Sequence, residues 1–143
     1  MANVFKLYVF EILDKVSKAE KRADKIAILQ EHNQNWALKD ILKGSFDDRV
    51  QWNLPGGEPP YEPADAQSHP NNLTRVNKQF RFFVKGGPGD KLPAFKREKI
   101  FLDIIETIHP RDAELVINMI NKKLNVKSVT KKLVQEAYPG LVQ

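Results

Sequence analysis

Between Leu54 and Pro70 the chain places five of its nine prolines, with Gly56-Gly57 among them. Proline lacks an amide donor and fixes its own φ, so no long helix or central strand crosses this stretch. Any core must be built from the segments on either side. The unpatterned region extends over residues 45–92, longer than compact domains usually tolerate without a reason. Within it, Val50–Leu54 and Phe80–Val84 read as short extended pieces, the second ended by Lys85-Gly86-Gly87-Pro88-Gly89.

Both flanks carry helical periodicity. Phe5, Tyr8, Val9, Ile12, Leu13 and Val16 recur on one face and predict a helix over Val4–Val16. Ser17 with Glu20 reads as a capping box that opens a second helix running to Glu31. A third helix, Gln34–Lys43, is expected to bury Trp36, Leu38, Ile41 and Leu42 and to end at Gly44. After the break, Pro93 opens a helix to Ile108, with Phe101, Ile104, Ile105 and Ile108 on one stripe. His109-Pro110 interrupts it, and Pro110 starts a helix burying Leu115, Val116, Met119 and Ile120. Residues 121–126 read as a turn. Ser128 is then the expected N-cap of a last helix ending at Tyr138, before Pro139-Gly140. We therefore expect an all-α bundle of about six to seven helices, residues 1–143 forming one domain. Its parts are N-terminal helices (1–44), a central loop (45–92) and C-terminal basic helices (93–143).

Composition narrows the functional classes. The chain has 143 residues, 41% hydrophobic and 29% charged, enough to close a core. It has no cysteine, which removes disulfides and thiolate chemistry and fits a reducing, cytoplasmic setting. No apolar run approaches the roughly 18 residues of a membrane span, so no membrane partner is expected. Lys6 and Glu11 interrupt the apolar Val4–Leu13 stretch, which reads as a core helix and not a signal peptide.

The net charge is +5, unevenly shared. Residues 1–74 carry nine basic and eleven acidic side chains, and residues 75–143 carry fourteen and seven. A basic half points to a polyanion. It is sharpest at Lys122–Lys132, where Lys122, Lys123, Lys127, Lys131 and Lys132 occur with no acid between them. Ser128 and Thr130 fall at the expected helix start, where free amides favour a phosphate. A second basic block holds Arg75, Lys78, Arg81, Lys85, Lys91, Lys96, Arg97 and Lys99, with Asp90 and Glu98 its only acids. Phe80, Phe82, Phe83 and Phe95 are interleaved. Aromatics beside a bundle more often fill its core than stack on bases, and we assign them to the core.

Catalytic signatures are missing. His32, His69 and His109 are far apart in sequence and none pairs at metal-ligand spacing. Asp47-Asp48 sits on a turn where neighbouring carboxylates diverge. Glu58, Glu62 and Asp65 fall in the central loop, read as mobile. Gly86-Gly87-Pro88-Gly89 lacks the Lys-Ser/Thr pair of a phosphate loop, and there is no Gly-x-Ser-x-Gly elbow. We expect no enzyme and no cofactor or metal.

One resemblance gives the charge a partner. Residues 4–44, 93–124 and 128–142 resemble the N-terminal, all-helical DNA-binding domain of ATP-dependent DNA ligases of T-even-type phages. It is carried by Ile28-Leu29-Gln30-Glu31-His32-Asn33 at the end of the second helix, and by Leu124-Asn125-Val126-Lys127-Ser128-Val129-Thr130. After a short helix come Tyr138-Pro139-Gly140-Leu141. The Lys-x-Asp-Gly motif of the ligases' nucleotidyltransferase domain does not occur. The resemblance implies a phage-encoded, non-catalytic protein that grips the backbone of double-stranded DNA in the host cytoplasm. Lys127, Ser128, Thr130 and Lys131 stand at the matching turn and helix start. Lys122, Lys123 and Lys132 add charge, and Arg81, Lys85, Lys96 and Arg97 extend the expected footprint. The alternative is an adaptor docking on a sliding clamp or polymerase, through Leu54–Pro70 or Leu141–Gln143.

Overall fold

A computed structural model describes residues 7–143. It is all-helical, with seven α-helices among the described residues. These are α1 (Val9–Lys18), α2 (Arg22–Glu31), α3 (Trp36–Phe46), α4 (Leu73–Val76), α5 (Ala94–Ile105), α6 (Pro110–Ile120) and α7 (Lys131–Ala137). Two 3-10 helices, Asn77–Phe83 and Pro88–Lys91, lie between α4 and α5. The expected first helix falls partly outside the described residues at Val4–Lys6. No helix of the described residues is long and apolar enough to cross a membrane.

Helix α6 is the hub, packing on α1, α3 and α5, while α2 bridges α1 to α7. Val9, Ile12, Leu13 and Val16 of α1 meet Ala113, Val116 and Met119 of α6 in one continuous core. The apolar spacing of both helices predicted these faces. Gly44 lies inside α3, not at its end. A Cβ there would stand 2.6 Å from both Met119 Sδ and Trp52 Cζ2, so glycine lets α3 and α6 approach closely.

Several boundaries differ from expectation for identifiable reasons. Ser17 caps nothing, because α1 runs through it to Lys18. The freed carbonyls at the end of α1, Val16 O and Ala19 O, accept from Lys25 Nζ, and α2 begins four residues later than Lys18. Glu11 closes the other end of α1 by accepting from the Tyr8 N–H at 2.8 Å. Trp36 was expected in the core and is 61% exposed. The buried stripe of α3 is Ala37, Leu38, Ile41, Leu42 and Ser45, and Trp36 shares its face with Lys39, Asp40 and Lys43. The last helix is capped by Thr130, whose hydroxyl oxygen accepts from the Leu133 N–H at 3.2 Å. Ser128 adopts a left-handed φ of 70° in the turn before it.

The central region is strapped to the bundle rather than loose. Gly57 and Asn121 exchange two hydrogen bonds at 2.7 and 3.0 Å. The Glu62 N–H donates to Glu106 Oε2, and the Asn71 N–H to Thr107 O. Leu54 and Tyr61 pack against the core. Within Val50–Leu54, Trp52 forms an isolated antiparallel bridge with Val84, flanked by the Asn53 N–H donating to Phe83 O and Gln51 O accepting from the Lys85 N–H.

Candidate nucleic-acid interface

Phe80–Val84 was expected to be extended, and most of it is 3-10 helix instead. Alternating Phe-Arg-Phe mimics a strand, yet a second period runs through the same residues. Asn77, Phe80 and Phe83, spaced by three, are all buried, and Phe83 joins Phe101 edge to face. Arg75, Lys78 and Arg81, also spaced by three, are all exposed. A 3-10 helix has about three residues per turn, so side chains at that spacing eclipse one another. Lys78 and Arg81 therefore share one edge of the 3-10 helix, roughly 6 Å apart at about 2 Å of rise per residue, and Arg75, in the α4 turn just before, extends them into a short ladder of three cations. None of the three forms an ion pair among the described residues. Arg81 lies over the half-buried Phe82 ring at 5.1 Å. Lys85 follows, exposed, with its own N–H tied to Gln51 O at 2.8 Å. Arg81 and Lys85 belong to the footprint expected from the sequence, whereas Arg75 and Lys78 belong only to the second basic block, and the three-residue spacing is the signal that joins them to it.

The ladder faces α3 across a groove of about 260 Å³ lined by Lys43, Trp52, Lys78 and Arg81. Its floor holds Asp40, whose carboxylate accepts from Asn77 Nδ2 at 2.7 Å. Burial holds the Asp40 pKa above its ordinary value.

The other expected contacts divide. Lys122 turns inward, and its ammonium donates to Gly44 O at 2.9 Å and Asp47 O at 2.8 Å, closing the C-terminus of α3. Burial lowers its pKa below the ordinary lysine value. Arg97 also serves the fold, donating to Asn53 O, Gly89 O and Leu92 O. Lys131 pairs with Asp48 at 3.0 Å, so the run that is acid-free in sequence is not acid-free in space. Asp47 and Asp48 diverge as expected: Asp47 is buried against Arg49, whose hydrogen bonds lower its pKa to about 2, and Asp48 points outward. Lys123, Lys127, Ser128, Thr130, Lys132 and Lys96 are exposed. Phe80 and Phe83 belong to the core, whereas Phe95 is 69% exposed.

A second cluster gathers residues the sequence kept apart. His69 and His109 lie 5.5 Å apart between ring centres, and Tyr8 Oη is 3.0 Å from His69 Nε2. His109 Nδ1 accepts from the Arg111 N–H, and its pKa is lowered chiefly by burial. No group of three or more metal-ligating side chains occurs among the described residues. Beneath the rings, Asp112 is 1% exposed and accepts from the Phe10 N–H at 2.9 Å. Burial raises its pKa to about 6. The folded chain thus holds this proton more tightly than the unfolded one. The cost of ionising Asp112 is absent at low pH, grows between pH 3.8 and about 6, and persists above. Asp112→Asn keeps an acceptor for Phe10 and removes that cost. It is expected to raise stability near pH 7.5, by at most about 3 kcal/mol for a difference of roughly two in pKa. Thermal melts across pH should show the gain vanishing below about pH 4.

Residues 12–126 match the family of unknown function designated DUF6433. The chain belongs to that family. The matched span contains α2 through α6 whole and takes in the Arg75–Lys78–Arg81 ladder, Lys43, Lys122 and Asp112. It ends before Lys127, so the exposed Lys127 and Lys132 lie outside the DUF6433 region of the chain. No curated protein matches the sequence.

Proposed function

We propose that this DUF6433 protein is a non-catalytic binder of double-stranded DNA that holds the phosphate backbone of one strand along the Arg75–Lys78–Arg81 ladder. The ladder carries the reading. Three exposed cations follow one another every three residues along the α4 and 3-10 segment, and none is neutralised by an ion pair among the described residues. Arginine and lysine on phosphates supply affinity without reading sequence. Lys85 and Lys43 widen the same surface, and Lys123, Lys127 and Lys132 give a second set of exposed contacts. Lys122 and Arg97 are not needed for contact, since both already support the fold. The likeness to the phage ligase domain favours duplex over other polyanions, and with it a phage protein in a bacterial host cytoplasm.

The adaptor reading finds less support. Leu54, Tyr61 and Leu141 are partly buried against the core and Val142 is buried, which reduces the apolar surface these segments offer a sliding clamp or polymerase.

Labelled duplexes of unrelated sequence should bind with affinities equal within about threefold, as backbone contacts require. Strong preference for one sequence would sink the proposal. Lys123, Lys127 and Lys132 replaced together by glutamate should weaken duplex binding by about two orders of magnitude or more near 0.1 M salt. Unchanged affinity would confine contact to the ladder.

A further inference from the structure

Trp36 is the largest exposed apolar side chain on α3, and it stands beside the ladder. Two hollows flank its indole. One, of about 560 Å³, is lined by Lys39, Tyr138 and Pro139. Lys39 Nζ fills that side, 4.5 Å from the Trp36 ring centre and 5.1 Å from that of Tyr138. The other hollow, of about 520 Å³, is lined by Trp36, Thr74, Asn77 and Lys78 and not by Lys39. The indole thus borders both hollows, and on the side of the ladder the lining does not include Lys39.

A second observation points the same way. Asn77 is only 7% exposed, and its Oδ1 has no hydrogen-bond partner among the described residues, although its Nδ2 is held by Asp40. A buried acceptor left without a donor is costly. Asn77 lines both the Trp36 hollow, which offers an aromatic side chain and a cation, and the groove before α3, and a small shift of its side chain is needed to bring Oδ1 to a donor in the hollow. Glu31 also lines this hollow, and Asp40 lies behind Asn77, so the site is not uniformly basic. A free phosphate would meet those acids. A flat, neutral group bearing an N–H donor, carried on a phosphate chain, fits all three features.

We infer that this hollow receives an unpaired nucleobase. The base stacks on Trp36, its N–H groups face Asn77 Oδ1, and its flanking phosphates lie on Lys78 and Arg75. The inference rests on the nucleic-acid reading of the ladder and sharpens it. The preferred substrate is duplex DNA adjoining a short single-stranded stretch, not continuous duplex. Stacking on an aromatic side chain tolerates any base, so the preference is for unpaired structure and not for sequence.

The test uses the full chain and three labelled DNAs: a blunt duplex, the same duplex with a four-thymidine overhang, and that duplex with an abasic overhang. The abasic strand keeps every phosphate and removes the bases. Wild type should bind the thymidine overhang about tenfold more tightly than either of the others. Trp36→Ala should erase that gain and leave blunt-duplex affinity unchanged, and Trp36→Phe should keep most of it. Because Trp36 is largely exposed, both variants should melt near wild type, which a thermal scan checks. Equal binding of the thymidine and abasic overhangs, or a Trp36→Ala protein that still prefers the thymidine overhang, overturns the inference while duplex binding stands. Failure to bind any of the three DNAs overturns the duplex reading and this inference with it.

Discussion

Replacing Arg75, Lys78 and Arg81 together with glutamate is expected to weaken binding to duplex DNA by about two to three orders of magnitude near 0.1 M salt. Each phosphate contact releases close to one counterion, so three lost contacts remove roughly 2.7 decades at that concentration. Introducing three negative charges adds repulsion beyond that. Stability should change little, because all three side chains are exposed and none forms an ion pair among the described residues. Phe80 and Phe83, which anchor the opposite edge of the same segment, are untouched. Fluorescence anisotropy with a labelled duplex, beside a thermal melt, separates the two effects. A variant that melts like wild type and binds like wild type would remove the ladder from the interface.

Gly89→Ala is expected to have the largest effect on stability. Gly89 is buried against the preceding 3-10 helix, and a Cβ there would stand 1.8 Å from Phe82 O and 2.5 Å from its carbonyl carbon. Both are backbone atoms, so no side-chain rotation relieves the clash. The surroundings are held as well. Arg97 Nη1 donates to Gly89 O, and Asp90 accepts from the Gly86 N–H and from Asn53 Nδ2. The two 3-10 helices would have to part, breaking contacts on which Arg97 also depends. A loss of about 3 kcal/mol or more follows, and a melting temperature lower by roughly 10 °C. Since Phe82 lies under Arg81, the same shift should disturb the end of the ladder and weaken duplex binding a few-fold. An alanine variant that melts with wild type would mean that the segment yields more easily than its hydrogen bonds indicate.

Helices with a long apolar stripe were readable from sequence. The faces of α1 and α6 follow their i, i+3, i+4 spacing, and the hydrophobic residues expected inside α5 and α6 are buried. Trp36 lies off the stripe set by Leu38, Ile41 and Leu42, so its position on α3 and not its apolar identity decides its exposure. The ladder is masked in the sequence for a different reason. Phe80-Arg81-Phe82 satisfies the two-residue period of a strand, while Asn77-Phe80-Phe83 satisfies a three-residue period, and only the second extends back through Arg75 and Lys78. Lys122 and Lys131 could not be sorted from their neighbours along the chain. What separates them is the C-terminus of α3 and Asp48, brought up from more than seventy residues away. The same holds for His69 and His109, which meet beside Tyr8 at the start of α1.

The salt dependence of duplex binding tests the central claim most directly. With the three ladder cations, Lys123, Lys127 and Lys132 on phosphates, wild-type affinity should fall about a thousandfold between roughly 50 and 200 mM salt. The slope of log affinity against log salt should flatten by about three in the Arg75/Lys78/Arg81→Glu protein. A wild-type chain that binds no duplex at the lower salt, or whose affinity does not change between the two, would contradict the account.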